Sequence, residues 1–257
     1  MEQALQKLQE QQREQASDHQ DGAIQNLVEA KDRLEETLRQ LREEERGLLL
    51  TALEARFRKM LAMQQLVYHR TVELSAVPDA DRSASHRERA RKLSFDENAI
   101  GLEADKALAL LREEGSSVAF PQAVEDLRQD IDTVTRRLER TEVGALTQSI
   151  EQDIIEALEE ILDALEKELQ KLEESQQQPQ EAQQPQDGEP PLVDILSELK
   201  MLRTLQVRIN RRTKRLGKLI EGPRATDPEL IRQLQELAER QARVHQATYD
   251  LVTGRNR

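Results

Sequence analysis

Hydrophobic residues recur at steps of three and four along most of this 257-residue chain, which is the spacing of one face of an α-helix. One run, which we call the first copy, comprises Leu50, Leu53, Phe57, Met60, Gln64, Val67, Thr71 and Leu74. The second copy repeats it 142 residues later as Leu192, Ile195, Leu199, Leu202, Gln206, Ile209, Thr213 and Leu216. A shorter third copy comprises Leu230, Leu234, Leu237, Gln241, Val244, Thr248 and Leu251. The pattern predicts three helices with related faces.

Each copy places Gln and then Thr at two successive heptad positions of the apolar face. The six residues are Gln64, Thr71, Gln206, Thr213, Gln241 and Thr248. They could be polar residues tolerated on ordinary core faces. Alternatively, they form core layers that set register and partner choice, because a polar core residue penalises misaligned assemblies at some expense of stability. On the second interpretation, Gln206→Leu should melt at a higher temperature and elute as a mixture of association states.

Proline and glycine divide the remaining pattern into segments, because both residues disfavour helix interiors. We predict helices over about 22–76, 95–113, 121–174, 191–220 and 228–252, and a basic loop or short helix over 79–93. Ser85-x-x-Glu88 and Ser94-x-x-Glu97 have the spacing of a capping box, and Val143-Gly144 is a point where the helix over 121–174 could break. The predicted regions are a Gln-rich helix or frayed tail at 1–21, a helical hairpin region at 22–113, an acidic long helix at 114–174, a disordered Gln/Pro-rich linker at 175–190 and a basic helical hairpin at 191–257. No segment alternates with period two, so we expect no sheet.

Two further stripes indicate how the helices pack. Leu27, Leu34, Leu41 and Leu48 repeat every seven residues, with Ile24 and Leu38 between them, which is typical of a coiled-coil seam. Another stripe comprises Phe120, Val124, Leu127, Ile131, Val134 and Leu138. We therefore predict an all-α fold, an elongated helical bundle or coiled coil with long antiparallel helices.

Composition narrows the function. With 34% charged and 2% aromatic residues, no Cys and a net charge of −12, the chain is typical of long helices and unsuited to thiol chemistry or Cys-ligated zinc. The acidic balance disfavours nucleic acid as a partner and makes contact with anionic membrane unexpected from this chain alone. The opening residues show neither a basic stretch nor an apolar run of a signal peptide.

Charge also predicts one helix pair. Residues 151–174 carry ten acids against two lysines, and residues 198–218 carry eight bases against one glutamate. A linker between them allows the chain to fold back and place the acids beside the bases. We therefore predict an antiparallel hairpin in which charge selects the orientation and leucine burial supplies the stability.

Candidate chemistry is sparse. The four histidines are scattered, carboxylate pairs lie on polar helix faces, and no phosphate-binding loop or nucleophile motif occurs, so we expect no catalytic residue, no metal and no cofactor. Two basic clusters could bind an anion or a partner protein. They comprise Arg82, Arg87, Arg89, Arg91, Arg208, Arg211, Arg212, Lys214 and Arg215.

The strings GSSVAFPQAVEDLRQDI at 115–131 and PPLVDILSELKMLRTLQVRINRRT at 190–213 resemble an uncharacterised group of coiled-coil proteins from planctomycete-type bacteria. The resemblance covers roughly 60–257 and implies export to the periplasm, although this chain shows no signal at its start. It implies no activity and no functional residues.

We expect a non-enzymatic, envelope-associated structural or assembly protein that packs helices against itself or another helical protein. The alternative is a regulator that binds anions or membrane surfaces through its basic clusters.

Overall fold

The computed structural model describes residues 2–9, 13–78, 82–177, 191–218, 220, 222 and 224–254. No strand occurs among them, and the predicted all-α fold class is confirmed. The helices are α1 (Glu2–Gln9), α2 (Arg13–Ser75), α3 (Ala84–Glu114), α4 (Ala119–Glu139), α5 (Ala145–Gln177), α6 (Ile195–Gly217) and α7 (Pro228–Thr253). Most of the predicted linker, residues 178–190, lies outside the described residues.

The chain divides into two compact units, Met1–Leu48 and Leu49–Arg257. In the first unit, α2 is already helical from Arg13, nine residues before the predicted start, and its described side chains beyond Gly22 are mostly exposed. The second unit contains the hydrophobic core, in which both Phe57 and Phe120 are fully buried. Each such aromatic side chain contributes about 2–3 kcal/mol by leaving water.

The start of α3 differs from the prediction. The helix begins at Ala84 after Ser83, so much of the basic stretch expected to be a loop or a short helix is part of a long helix. Ser94 and Glu97 are buried inside α3, and the Ser94 hydroxyl donates to the Arg91 carbonyl oxygen at 2.7 Å. Neither capping-box match therefore begins a helix, because Ser85 also lies inside α3 and the apolar face continues toward the N-terminus through Ala90 and Leu93.

The predicted break after α3 is present and has a specific geometry. Gly115 has φ +78°, a left-handed conformation that glycine adopts readily, and its amide donates to the Leu111 carbonyl oxygen at 3.1 Å. Helix α4 then begins without a side-chain cap of its own. Glu198 of α6 supplies one, since its carboxylate accepts from the amides of Val118 at 3.1 Å and Ala119 at 2.6 Å and from the Ser117 hydroxyl.

The predicted helix over 121–174 is two helices. Between α4 and α5 the chain turns through residues 140–144, and Thr141 adopts φ +62°. The Arg137 guanidinium donates to the Thr147 hydroxyl at 2.8 Å, which ties the end of α4 to the start of α5. Helices α4 and α5 are thus packed neighbours, and the apolar stripe of α4 from Phe120 to Leu138 is buried as predicted.

Helices α5 and α6 run antiparallel, in the orientation that charge predicted. Arg215 Nη2 lies 3.0 Å from Asp153 Oδ1, and Arg208 pairs with Glu160 further along α5. Near the other end, the Ser197 hydroxyl donates to Glu168 Oε1 at 2.7 Å. Residue numbers that increase along α5 therefore face residue numbers that decrease along α6.

Candidate functional site

The first unit presents an apolar stripe to solvent. The four leucines that repeat every seven residues are more than half exposed, at 56% for Leu27, 62% for Leu34, 51% for Leu41 and 73% for Leu48. Ile24 and Leu38 are exposed on the same stripe. We call the heptad stripe over residues 24–48 that contains these six residues the leucine seam. Contiguous exposed apolar surface of this kind marks interaction sites, because isolated soluble helices gain nothing by displaying it.

The leucine seam also contains two charged residues that were not predicted to be part of it. Counting sevens from Ile24 places Lys31, Leu38 and Glu45 at equivalent positions. Lys31 Nζ lies 3.2 Å from Glu35 Oε1 within the helix, and the Lys31 side chain is 70% exposed. Lys31 and Glu45 therefore lie on the apolar face in the segment where a partner helix would pack.

Polar residues of the first copy are inside the core of the second unit. Gln64 and Thr71 are both fully buried. Gln64 Nε2 donates to Glu97 Oε2 at 3.1 Å, and Thr71 Oγ1 donates to Glu151 Oε1 at 2.7 Å. Their partners were not predicted, because Glu97 lies 33 residues and Glu151 80 residues away in the chain.

The two buried glutamates have no cation beside them among the described residues. Burial raises the pKa of Glu97 well above its ordinary value, the nearby Glu151 charge raises it further, and the Gln64 hydrogen bond opposes both. Burial likewise raises the pKa of Glu151 to about 7, against the hydrogen bond from Thr71. Glu97 Oε1 and Glu151 Oε2 are buried without a hydrogen-bond partner among the described groups.

Polar residues of the second and third copies lie nearer the surface. Gln206 and Gln241 form a reciprocal amide pair between α6 and α7, with both N–O distances at 2.7 Å. Thr213 and Thr248 are exposed and donate to carbonyl oxygens of their own helices, at 2.8 Å and 2.7 Å. Their predicted core placement is wrong, because α6 and α7 turn other residues toward the core. Whether the Gln sites set register stays a prediction.

One of those other residues is Arg212, which was predicted to bind an anion or a partner protein. Arg212 and Arg240 are both buried and share the buried carboxylate of Asp130. Arg212 Nη1 lies 2.7 Å from Oδ1, and Arg240 lies 2.6 Å from Oδ1 and 2.9 Å from Oδ2. Burial favours the neutral acid, but the two guanidinium charges hold the pKa of Asp130 well below its usual range. Arg212 is thus a core residue and is inaccessible to an external anion.

The other bases of the C-terminal cluster differ in their surroundings. Arg208 and Arg215 pair with acids of α5, as does Arg211, whose Nη1 lies 3.6 Å from Glu156 Oε2. Lys214 is exposed. Most of this cluster is therefore used within the chain.

The N-terminal basic cluster remains on the surface. Arg82 precedes α3, and Arg87, Arg89 and Arg91 are exposed in its first turns. For Arg87, Arg89 and Arg91, the described part of the chain offers no ion-pair partner, which distinguishes them from Arg208, Arg211 and Arg215 of α6.

Two other features, a metal-binding cluster and a membrane-spanning helix, are absent from the described ranges. No group of three or more His, Asp or Glu side chains there has an arrangement suited to a metal ion. No described helix combines the length and apolar character needed to cross a membrane.

Comparisons of the chain with protein-family models, with curated proteins and with solved structures found no match.

Proposed function

We propose that this chain is a non-enzymatic structural or assembly protein that acts through helix packing, with the leucine seam as its association surface. The observation that carries the proposal is the exposure of six apolar side chains at coiled-coil spacing over residues 24–48. In the second unit, the same kind of stripe on α2 is buried against other helices. The leucine seam has the same heptad spacing as that buried face, which supports a role in helix packing.

The burial of the exposed apolar side chains favours association. Burying a half-exposed leucine side chain contributes about 1 kcal/mol, roughly half the value for a fully exposed one. Six such residues on each of two helices offer enough to offset the loss of translational freedom that accompanies association. The seam spans about three and a half heptads, the range in which heptad patterns specify coiled coils.

Size-exclusion chromatography with light scattering tests the proposal on the full chain. We expect a mass above the 29.6 kDa of one chain, and a return to that mass in Leu34→Ser/Leu41→Ser. The matched control is Leu66→Ser/Leu102→Ser, which changes two half-exposed leucines outside the seam, at 50% and 53% exposure. A monomeric unchanged chain, or equal loss of mass in both variants, contradicts the proposal.

A second candidate is a regulator that binds anions or membrane surfaces. It draws support from the exposed Arg87, Arg89 and Arg91, and it loses support from the internal pairing of Arg208, Arg211 and Arg215. Co-sedimentation with phosphatidylserine vesicles at physiological salt separates the two candidates. The assembly function predicts no sedimentation, whereas retention that Arg87→Ser/Arg91→Ser abolishes would favour the regulator.

A further inference from the structure

The charged residues within the leucine seam restrict which helix can pack on it. Lys31 and Glu45 each lie seven residues from Leu38, on opposite sides and with opposite charge. Each lies on the apolar stripe, so a partner helix would cover both. An ion buried at a helix interface is strongly disfavoured unless an opposite charge is within reach.

A parallel, in-register second copy adds no opposite charge beyond the Glu35 carboxylate that Lys31 already contacts within its own helix. It places Lys31 beside Lys31 and Glu45 beside Glu45, and each layer then contains two like charges. These layers disfavour the parallel pair, because like-charge contacts at an interface oppose association.

An antiparallel second copy provides an opposite charge for both Lys31 and Glu45. Reversing one helix about the neighbourhood of Leu38 brings Lys31 of each copy to within about one helical turn of Glu45 of the other. The lysine side chain is long enough to cover that distance and leaves its hydrocarbon stem on the apolar face. The same reversal keeps leucine against leucine elsewhere along the seam.

We infer that the leucine seam binds a second copy of this chain in antiparallel orientation, with Lys31 of each copy beside Glu45 of the other. The inference rests on the proposed function and adds the partner and its direction. Charge complementarity within the seam is the argument for a second copy over an unrelated helix, since the chain itself contains both halves of the match.

Thiol cross-linking of the full chain tests the direction. The natural sequence contains no Cys, so Leu27→Cys and Leu48→Cys each introduce a single reporter. In the antiparallel pair, position 27 of one copy lies within about one turn of position 48 of the other, while identical positions are more than about 25 Å apart. A bis-maleimide reagent of about 10 Å, comparable to the separation of packed helices, should therefore link a co-refolded mixture of the two variants and leave each variant alone unlinked.

The cross-linking and light-scattering results separate the two claims. Cross-linked dimer in either variant alone overturns the antiparallel direction, and a mass above that of a dimer overturns pairing with one copy. In both cases the proposed assembly function stands. A monomer overturns both the inference and the function.

Charge reversal supplies a second readout that does not depend on the reagent. Lys31→Glu places two acids in each antiparallel contact and should weaken dimerisation roughly tenfold at low salt. Lys31→Glu/Glu45→Lys should restore the affinity to within about threefold, because the pair is only inverted. Arg33→Glu makes the same change in charge outside the seam and should have little effect. Failure of the double variant to recover overturns the contact.

Discussion

The first and second copies of the repeat share their sequence pattern, yet they differ in which of their positions are buried. In the first copy, all eight positions from Leu50 to Leu74 are buried, including Gln64 and Thr71. In the second copy, Ile195 is 53% exposed, Leu199 is 44% exposed, and Thr213 faces solvent. Helix α6 instead buries Glu198, Leu205 and Arg212.

The difference shows what a repeat can specify. The first copy lies in a helix covered by neighbours that carry Glu97 and Glu151, so its polar residues have internal partners. The second copy meets α4 and α7, which carry Asp130 and Arg240, and these partners select Arg212. The same spacing thus gives two faces, because the neighbours determine which residues are covered.

Removing the partner of Arg212 should give the largest effect. Among the described residues, Asp130 is the carboxylate that hydrogen-bonds both buried guanidinium groups. Asp130→Ala leaves those groups buried without these bonds, and we expect a loss of about 3–5 kcal/mol in the free energy of unfolding. Denaturant titration followed by circular dichroism measures it. Asp132→Ala, which removes a more exposed acid of the same helix, should change stability by less than about 1 kcal/mol. Equal effects of the two variants would mean that the buried face of α6 does not depend on Arg212.

A pH series tests the polar layer of the first copy. The pKa of Glu151 is about 7 in the fold against 4.5 ordinarily, so the folded chain keeps a proton that the unfolded chain has released. Stability from this group is therefore greatest below about pH 4.5 and declines as pH rises to about 7. Glu151→Gln should be more stable than the unchanged chain by on the order of 3 kcal/mol at pH 8 and about equal near pH 4.

Glu159→Gln is the control for that series, since Glu159 is exposed on the same helix and should leave the pH profile unchanged. A Glu151→Gln variant whose advantage is independent of pH would contradict the assignment, because the gain would then come from packing alone.

The two threonines give a matched pair. Thr71→Val removes the one hydroxyl that donates to the Glu151 carboxylate among the described residues, and should cost about 1–3 kcal/mol near neutral pH. Thr213→Val removes an exposed hydroxyl that bonds its own helix and should change stability by less than about 0.5 kcal/mol. Thermal or denaturant melts of both variants compare the copies directly, and similar losses would show that burial does not separate them.

The smallest effect is expected at Gln206. Its amide pairs with Gln241 near the surface, so water can replace either partner, and Gln206→Leu should shift stability by no more than about 0.5 kcal/mol. We expect an unchanged elution profile. A mixture of association states would instead support the register-setting hypothesis for this pair.

Much of the helical pattern could be predicted from the sequence, and so could one pairing. The stripe of α4 is buried as its spacing indicated, and α5 and α6 run antiparallel as their charges indicated. These predictions depend on local periodicity or on a contrast between long charged segments, both of which are visible in one dimension.

The remaining features depend on contacts between distant residues. Glu97, Asp130 and Glu151 look like ordinary surface acids in the sequence, and only the fold shows that they are buried. Similarly, Thr141 is not a typical turn residue, so the break between α4 and α5 had only Gly144 as a signal. In contrast, the places of Lys31 and Glu45 on the apolar stripe were predictable, because both residues lie at multiples of seven residues from Ile24.

Glu198 has a consequence for how the chain folds. The first amides of α4 are accepted by a carboxylate that follows them by about 80 residues, beyond α5 and the segment at 178–190. During synthesis, α4 and α5 emerge before that carboxylate exists, so the start of α4 is completed only when α6 docks. The start of α4 therefore reaches its final structure together with α6. A chain that stops at residue 177 lacks the carboxylate that completes α4.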